Sequence, residues 1–254
     1  MGQTQTAEFA GIVFFRRDYR ERDMLVKILT DNFGFKMFFV RGVRKRGFRL
    51  GAAILPFTQA NYFGAISTNG LSFINAATDV EHYQNLLQDI ELNAYATYLL
   101  ELAAAAFGDS QPLGGWFSQL QQALSLIDRH FDPAIIVNII EVQLLNFFDV
   151  KPNLQDCVIC HQTTGAFDFS ESYGGLLCAA HFHLDPRRMH LDQRTLYFLR
   201  TFAQLDLRRL NSIHVKSTTK NNLRQALDQI YDNEVELNLK SRHFLEERKI
   251  WPRH

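Results

Sequence analysis

Two pairs of soft donors carry the most specific chemistry in this sequence: Cys157-x-x-Cys160, then seventeen residues, then Cys178-x-x-His181. Each pair closes a tight knuckle, and together they offer four sulfur or nitrogen donors, the number a tetrahedral zinc site takes. Gly174 and Gly175 precede the second pair. Without a Cβ, they would let the backbone fold back and bring Cys178 beside Cys160. His161 and His183 are competing donors, but neither preserves the paired spacing.

Three cysteines cannot all pair, which argues against a disulfide framework and for a reducing compartment. Buried free thiols are the plainer alternative to a metal. A catalytic zinc keeps one coordination position open for water, whereas four protein donors fill the shell. The expectation is therefore one structural Zn2+ held by Cys157, Cys160, Cys178 and His181. The chain has no His-Glu-x-x-His, no Gly-x-x-x-x-Gly-Lys-Ser/Thr phosphate loop, no Gly-x-Gly-x-x-Gly and no Gly-x-Ser-x-Gly elbow. Nucleotide hydrolysis and acyl chemistry have no basis here, and the chain reads as a protein without catalytic residues.

A second constellation is electrostatic. The first 75 residues hold eleven Lys or Arg against five Asp or Glu, a balance of +6 within a chain that is formally neutral. The excess falls in two clusters: Arg16, Arg17, Arg20 and Arg22, then Arg41, Arg44, Lys45, Arg46 and Arg49. Both read as connections between strands. Loops projecting from one small barrel can converge on one groove, so the two clusters are expected to form one positive patch that binds phosphate backbones. Tyr19 and Phe48 sit among them, and an aromatic beside guanidinium groups can stack a splayed base. Phe14, Phe15, Phe38 and Phe39 read as core. The bland alternative is a solvated surface on which Arg16 and Arg17 pair with Asp18, Glu21 and Asp23.

The elements that must position these groups follow from periodicity. Apolar runs at residues 9–15, 24–29, 35–43, 53–63 and 71–75 are short and separated by charged or Gly-containing segments, which predicts five strands closing a barrel. Asn32 and Gly34 would supply the turn between the second and third, and Pro56 would sit at a strand edge or bulge. From Thr78 the period changes to that of helices, with Thr78 and Glu81 read as a capping box. Asp132-Pro133 would start a helix apolar on every face, which belongs at the centre of a bundle. The fold class is α+β: residues 1–78 a five-stranded oligonucleotide-binding (OB) barrel that grips phosphate backbones, residues 79–254 a helical domain with a zinc-binding insertion at about 154–185. No apolar run reaches the roughly 20 residues of a spanning helix, so no membrane partner and a cytoplasmic location are expected. Met1-Gly2 with Thr6 also matches a short myristoylation pattern that is common by chance, and it is set aside.

The order of these parts, with specific strings, resembles the bacterial RecO family of DNA repair and recombination mediators. The strings are Gly11-Ile12-Val13, Arg17-Asp18-Tyr19 followed by Arg22-Asp23, the run from Lys36 to Gly42, Leu55-Pro56-Phe57-Thr58, Tyr98-Leu99-Leu100-Glu101-Leu102, and the knuckle with Gly174-Gly175 before Cys178. The resemblance implies a non-enzymatic protein that binds single- and double-stranded DNA and anneals complementary strands. It also implies action with RecR to load RecA onto DNA coated by single-strand-binding protein (SSB), whose acidic C-terminal tail it would bind, with RecF a further partner. Many zinc-bearing members use four cysteines, and here His181 takes the fourth place. Arg129, Arg187 and Arg188 are conceivable edges of a tail-binding groove but read more simply as solvated surface. From another class, a zinc-stabilised scaffold binding an acidic protein or RNA without annealing activity remains compatible with composition.

Overall fold

A computed structural model of the chain describes residues 4–68, 70–235 and 237–247; Met1 and Gly2 of the myristoylation pattern lie outside them. The chain divides into two compact units, Met1–His130 and Phe131–His254.

The first unit opens with five strands: β1 (Thr4–Tyr19), β2 (Asp23–Thr30), β3 (Gly34–Val40), β4 (Thr58–Ser67) and β5 (Ser72–His82). They close a barrel in the order β1-β2-β3-β5-β4, with β3 and β5 parallel and the other pairs antiparallel. β1 makes closure possible because it is shared. Its first half pairs with β4 from Thr4 to Ile12, its second with β2 from Gly11 to Tyr19, and a bulge between Val13 and Phe15 provides the bend. Alternate residues fill the interior, where Phe9 stacks against Phe38 (5.4 Å between centroids) and Tyr62 (5.6 Å) amid Val13, Val26, Ile28 and Ile74. Gly34, at φ 65°, carries the β2–β3 turn alone, and a Cβ there would lie 2.0 Å from the Gln111 carbonyl oxygen.

Three details differ from the sequence reading. Thr78 and Glu81 do not cap a helix: they lie in β5, opposite Asn61 and Gln59, so the expected boundary at 78/79 falls inside a strand. Partners on β4 override the local capping pattern, since ladder bonds satisfy the backbone groups that a cap would otherwise serve. Pro56 precedes β4 in a turn after a 3-10 helix at Ala52–Ile54, where its missing N–H costs no ladder bond. Asn32 is not among the residues of positive φ.

Helices α1 (Gln84–Gln88), α2 (Ile90–Phe107) and α3 (Trp116–Asp128) complete this unit. Asp89 caps α2 by accepting from the N–H groups of Glu91 and Leu92, and the Asp128 carboxylate accepts from those of Asn85 and Leu86 at the start of α1.

The second unit is built on α4 (Pro133–Leu144), α5 (Gln193–Phe202), α6 (Ser217–Ile230) and α7 (Lys240–Glu247). Asp132 caps α4 with Pro133 in its first turn, and every residue from Ile135 to Leu144 is buried, as the nearly all-apolar run predicts, with Asn138, Glu141 and Gln143 buried among the aliphatic side chains. Between α4 and α5 lies a small sheet absent from the sequence reading: β6 (Asn153–Cys157), β7 (Phe167–Ser170) and β8 (Gly175–Cys178), in the order β6-β8-β7. Among the described residues, no helix is long and apolar enough to cross a membrane.

Candidate metal centre and nucleic-acid interface

The small sheet exists to bring four donors together. Cys157 ends β6, and the chain turns at once, His161 N–H donating to the Cys157 carbonyl (2.8 Å), so that Cys160 folds back over its partner. Cys178 ends β8, and the 3-10 turn Ala179–Leu184 that follows carries His181. Gly174, at φ 62°, makes the β7–β8 turn, and a Cβ on Gly175 would stand 2.7 Å from the Asn153 carbonyl oxygen. Both glycines therefore do what their position suggested.

The Sγ atoms of Cys157, Cys160 and Cys178 and a ring nitrogen of His181 all lie within 4.8 Å of one another. Cys160 Sγ is 3.7 Å from Cys178 Sγ, and His181 Nδ1 is 3.2 Å from Cys178 Sγ and 3.6 Å from Cys157 Sγ. Tetrahedral zinc with bonds of about 2.3 Å to sulfur and about 2.0 Å to nitrogen requires edges of roughly 3.5 to 3.8 Å. The donor set and its spacing fit Zn2+. His161 is 75% exposed at its side chain and turned to Asp156, and His183 is not part of the group. Burial pushes the Cys157 thiol up, but the N–H groups of Cys160, Cys178 and Ile159 together outweigh it and bring it down to about 6. Thiolate at that position is what a metal ligand requires.

The basic residues gather at one end of the barrel. Arg20 and Arg22 occupy the β1–β2 turn, and residues 41–49 open the long β3–β4 connection. These segments are tied together: Val43 N–H donates to the Arg22 carbonyl (2.8 Å), and Gly42 N–H donates to Asp23 Oδ1 (2.9 Å). Arg41, Arg44, Lys45, Arg46 and Arg49 are exposed, as are Arg17, Arg20 and Arg22.

Arg16 and Arg17 lie within β1 rather than in a loop, opposite Val26 and Leu25; pairing with β2 carries the strand on to Tyr19 despite the charge. The ion pair that does form is Arg44 with Asp18 (3.3 Å), both 62% exposed, so it links the clusters at little energetic gain. Phe48, expected beside the guanidinium groups as a stacking ring, packs on the barrel core instead. Phe39, expected in the core, does the reverse: with Phe38 and Val40 turned inward, strand alternation turns it outward, where it meets Tyr19 and Phe73 edge-on. The apolar run through residues 37–40 hid that parity, although Arg41 beside it was a usable sign of a surface. Arg188 is pinned to buried Asp168 (2.9 Å), with its guanidinium 4.4 Å from the Phe182 ring centroid.

Residues 3–83 match the family model "Recombination protein O N terminal", and residues 87–243 match "Recombination protein O C terminal". The chain belongs to the RecO family. It is 55% identical over 244 residues to the DNA repair protein RecO of Ligilactobacillus salivarius, covering 95% of this chain and 94% of that one. Its identity to the proteins of the same name from Latilactobacillus sakei and Enterococcus faecalis is 52% over 246 residues and 43% over 244 residues. These alignments cover 97% and 96% of this chain, and 90% and 93% of the relatives. Membership in RecO gives the chain a role in DNA repair and recombination, and the meeting of the two family models follows the end of β5 at His82.

Proposed function

We propose that the chain is a non-enzymatic recombination mediator. It binds single- and double-stranded DNA through the basic end of its barrel and anneals complementary strands. With RecR it helps load RecA onto SSB-coated DNA, engaging the SSB tail and RecF through other surfaces, in the cytoplasm at the nucleoid. One structural Zn2+ on Cys157, Cys160, Cys178 and His181 fixes the small sheet. With all four positions taken by protein donors, the metal supplies fold energy rather than an activated water.

The observation that carries this reading is the joining of two basic segments, distant in sequence, at one barrel end. Cations that neutralise the phosphates of two strands reduce the repulsion opposing their approach and leave base edges free to pair. Indifference to sequence follows, because bonds to phosphate position a strand and do not read it. Arg44, Lys45 and Arg46 project from a turn whose hydrogen bonds run through backbone atoms, Lys45 N–H to the Gly42 carbonyl and Phe48 N–H to that of Lys45. Their side chains are therefore free to be changed without unmaking it.

The test is annealing of complementary oligonucleotides without nucleotide, which the protein is expected to accelerate. Replacing Arg44, Lys45 and Arg46 together by Glu should slow it and flatten the dependence of log affinity on log salt by roughly 2, at about 0.7 for each single-strand phosphate no longer neutralised. A folded triple variant with parental binding overturns the assignment. Tight binding of an acidic protein with no strand pairing would instead indicate a scaffold.

A further inference from the structure

Three aromatic side chains form a row on the outer face of the barrel at its basic end. Tyr19 meets Phe39 edge to face, with centroids 5.7 Å apart and planes at 86°, and Phe39 meets Phe73 at 6.0 Å and 80°. The row draws on three strands and passes over a fourth, β2: Tyr19 is the last residue of β1, Phe39 lies near the end of β3, and Phe73 is its partner across the parallel β3–β5 pair. It is wet, Tyr19 being 37% exposed and both phenylalanines only partly buried.

Guanidinium groups lie over these rings. Arg20 is 5.2 Å from the centroid of Tyr19, and Arg41 stands 5.5 Å from Phe39 and 5.6 Å from Phe73. Leu25, opposite Phe39 on β2, is only 5% exposed, so the row lies over a packed floor; farther along the same strands Leu29 and Phe35 are fully buried, and Phe35 is bridged to Asp109 and Ser110.

We propose that Tyr19, Phe39 and Phe73 form a base-stacking subsite for single-stranded nucleic acid, with Arg20 and Arg41 holding the ring faces until a strand arrives. The inference rests on the reading of the neighbouring basic rim as a phosphate site and adds what that rim lacks, a means of telling unpaired from paired strands. A nucleobase offers two π faces when unstacked and none when it sits inside a duplex. The ring spacings of 5.7 and 6.0 Å exceed the roughly 3.4 Å rise of stacked bases, so the row suits an opened strand. A base entering over Phe39 or Phe73 displaces or sandwiches Arg41, whose charge then meets the phosphate of the same nucleotide. Stacking of this kind accepts any base, as annealing requires. Held by one face, a base keeps its pairing edge open to a complementary strand.

The experiment compares the parent with the Phe39→Leu/Phe73→Leu double variant on three probes. These are an oligothymidylate of about 16 nucleotides, near the upper site size of one OB barrel, an abasic strand of the same length, and a duplex. The double variant is expected to lose roughly 5- to 150-fold in affinity for the oligothymidylate, the range of one stacked base, with its salt slope, abasic binding and duplex binding unchanged. Phe39→Tyr should retain parental binding. Tyr19→Ser, which removes the most exposed ring, gives the same selective loss and keeps the question answerable should the double variant melt early. Parental affinity for oligothymidylate in folded Tyr19→Ser and double variants, or equal parental affinity for the abasic strand, overturns the subsite while leaving the rim intact. Failure of the rim looks different: the parent then binds none of the three probes in a salt-dependent way, and the subsite falls with it.

Discussion

Arg224 is 3% exposed and serves three acceptors. Its Nη1 donates to Glu141 Oε2 (2.7 Å) and Asn138 Oδ1 (3.2 Å) on α4, and its Nε donates to Asp228 Oδ1 (3.0 Å). Glu141 is fully buried and pairs with this guanidinium. Arg224→Met should therefore cost about 3–5 kcal/mol in urea unfolding, because it removes the cation 2.7 Å from a fully buried carboxylate. Adding Glu141→Leu should restore most of that loss, since an apolar pair of similar volume replaces a charge pair at little cost. A single variant within about 1 kcal/mol of the parent would refute the pairing argument. At this scale the cluster of four soft donors was legible and this ion pair was not. The four donors lie within 25 residues and declare themselves by spacing, while Arg224 and Glu141 are 83 positions apart, on helices whose facing only the packed bundle defines. Phe39 was illegible for a different reason: strand parity in an unbroken apolar run depends on a register set by neighbours.

Elements began where side chains could serve free backbone donors, and this was partly readable. Asp132 caps α4 as its place before Pro133 suggests, and Asp192 caps α5 in the same way without having been singled out. Thr78 and Glu81 had the same local signature and lost to β4, which offered a whole ladder against one cap. Asp192 makes the consequence measurable. Burial pushes its carboxyl up, but hydrogen bonds from the Thr195 and Asn222 side chains and from the N–H groups of Thr195 and Arg194 outweigh it, drawing it from 3.8 to about 2. A carboxyl depressed on folding stabilises the folded state above its ordinary range and loses that contribution as pH falls through the folded value. Asp192→Ala should cost about 1 kcal/mol at pH 7, a usual N-cap loss for a group this exposed, and the difference from the parent should shrink between about pH 4 and 2. Denaturation midpoints across that window check it; a difference independent of pH would remove the charge from the explanation.

The chain as a whole is neutral, yet the +6 of its first 75 residues is gathered at one barrel end, so net charge is a poor guide to what it binds. That asymmetry, the five strands and the helical remainder were visible in composition and period. The small sheet was not, because β7 and β8 are four residues each and make sense only around the donors they align. This predicts a divided response to metal removal. All four donors lie in the second unit, whereas the barrel core is drawn from residues 9–74 of the first. Purified protein should carry one zinc per chain, and stripping it, or Cys178→Ala, should abolish amide protection through β6, β7, β8 and the turn holding His181. Barrel amides and salt-dependent DNA binding should persist. The thermal midpoint of the second unit should fall by roughly 4 °C for each kcal/mol of metal-linked stability removed. Equal protection in stripped and intact protein would make the cluster a set of buried thiols after all. Collapse of the barrel together with the sheet would mean instead that the metal stabilises the whole chain and not one unit of it.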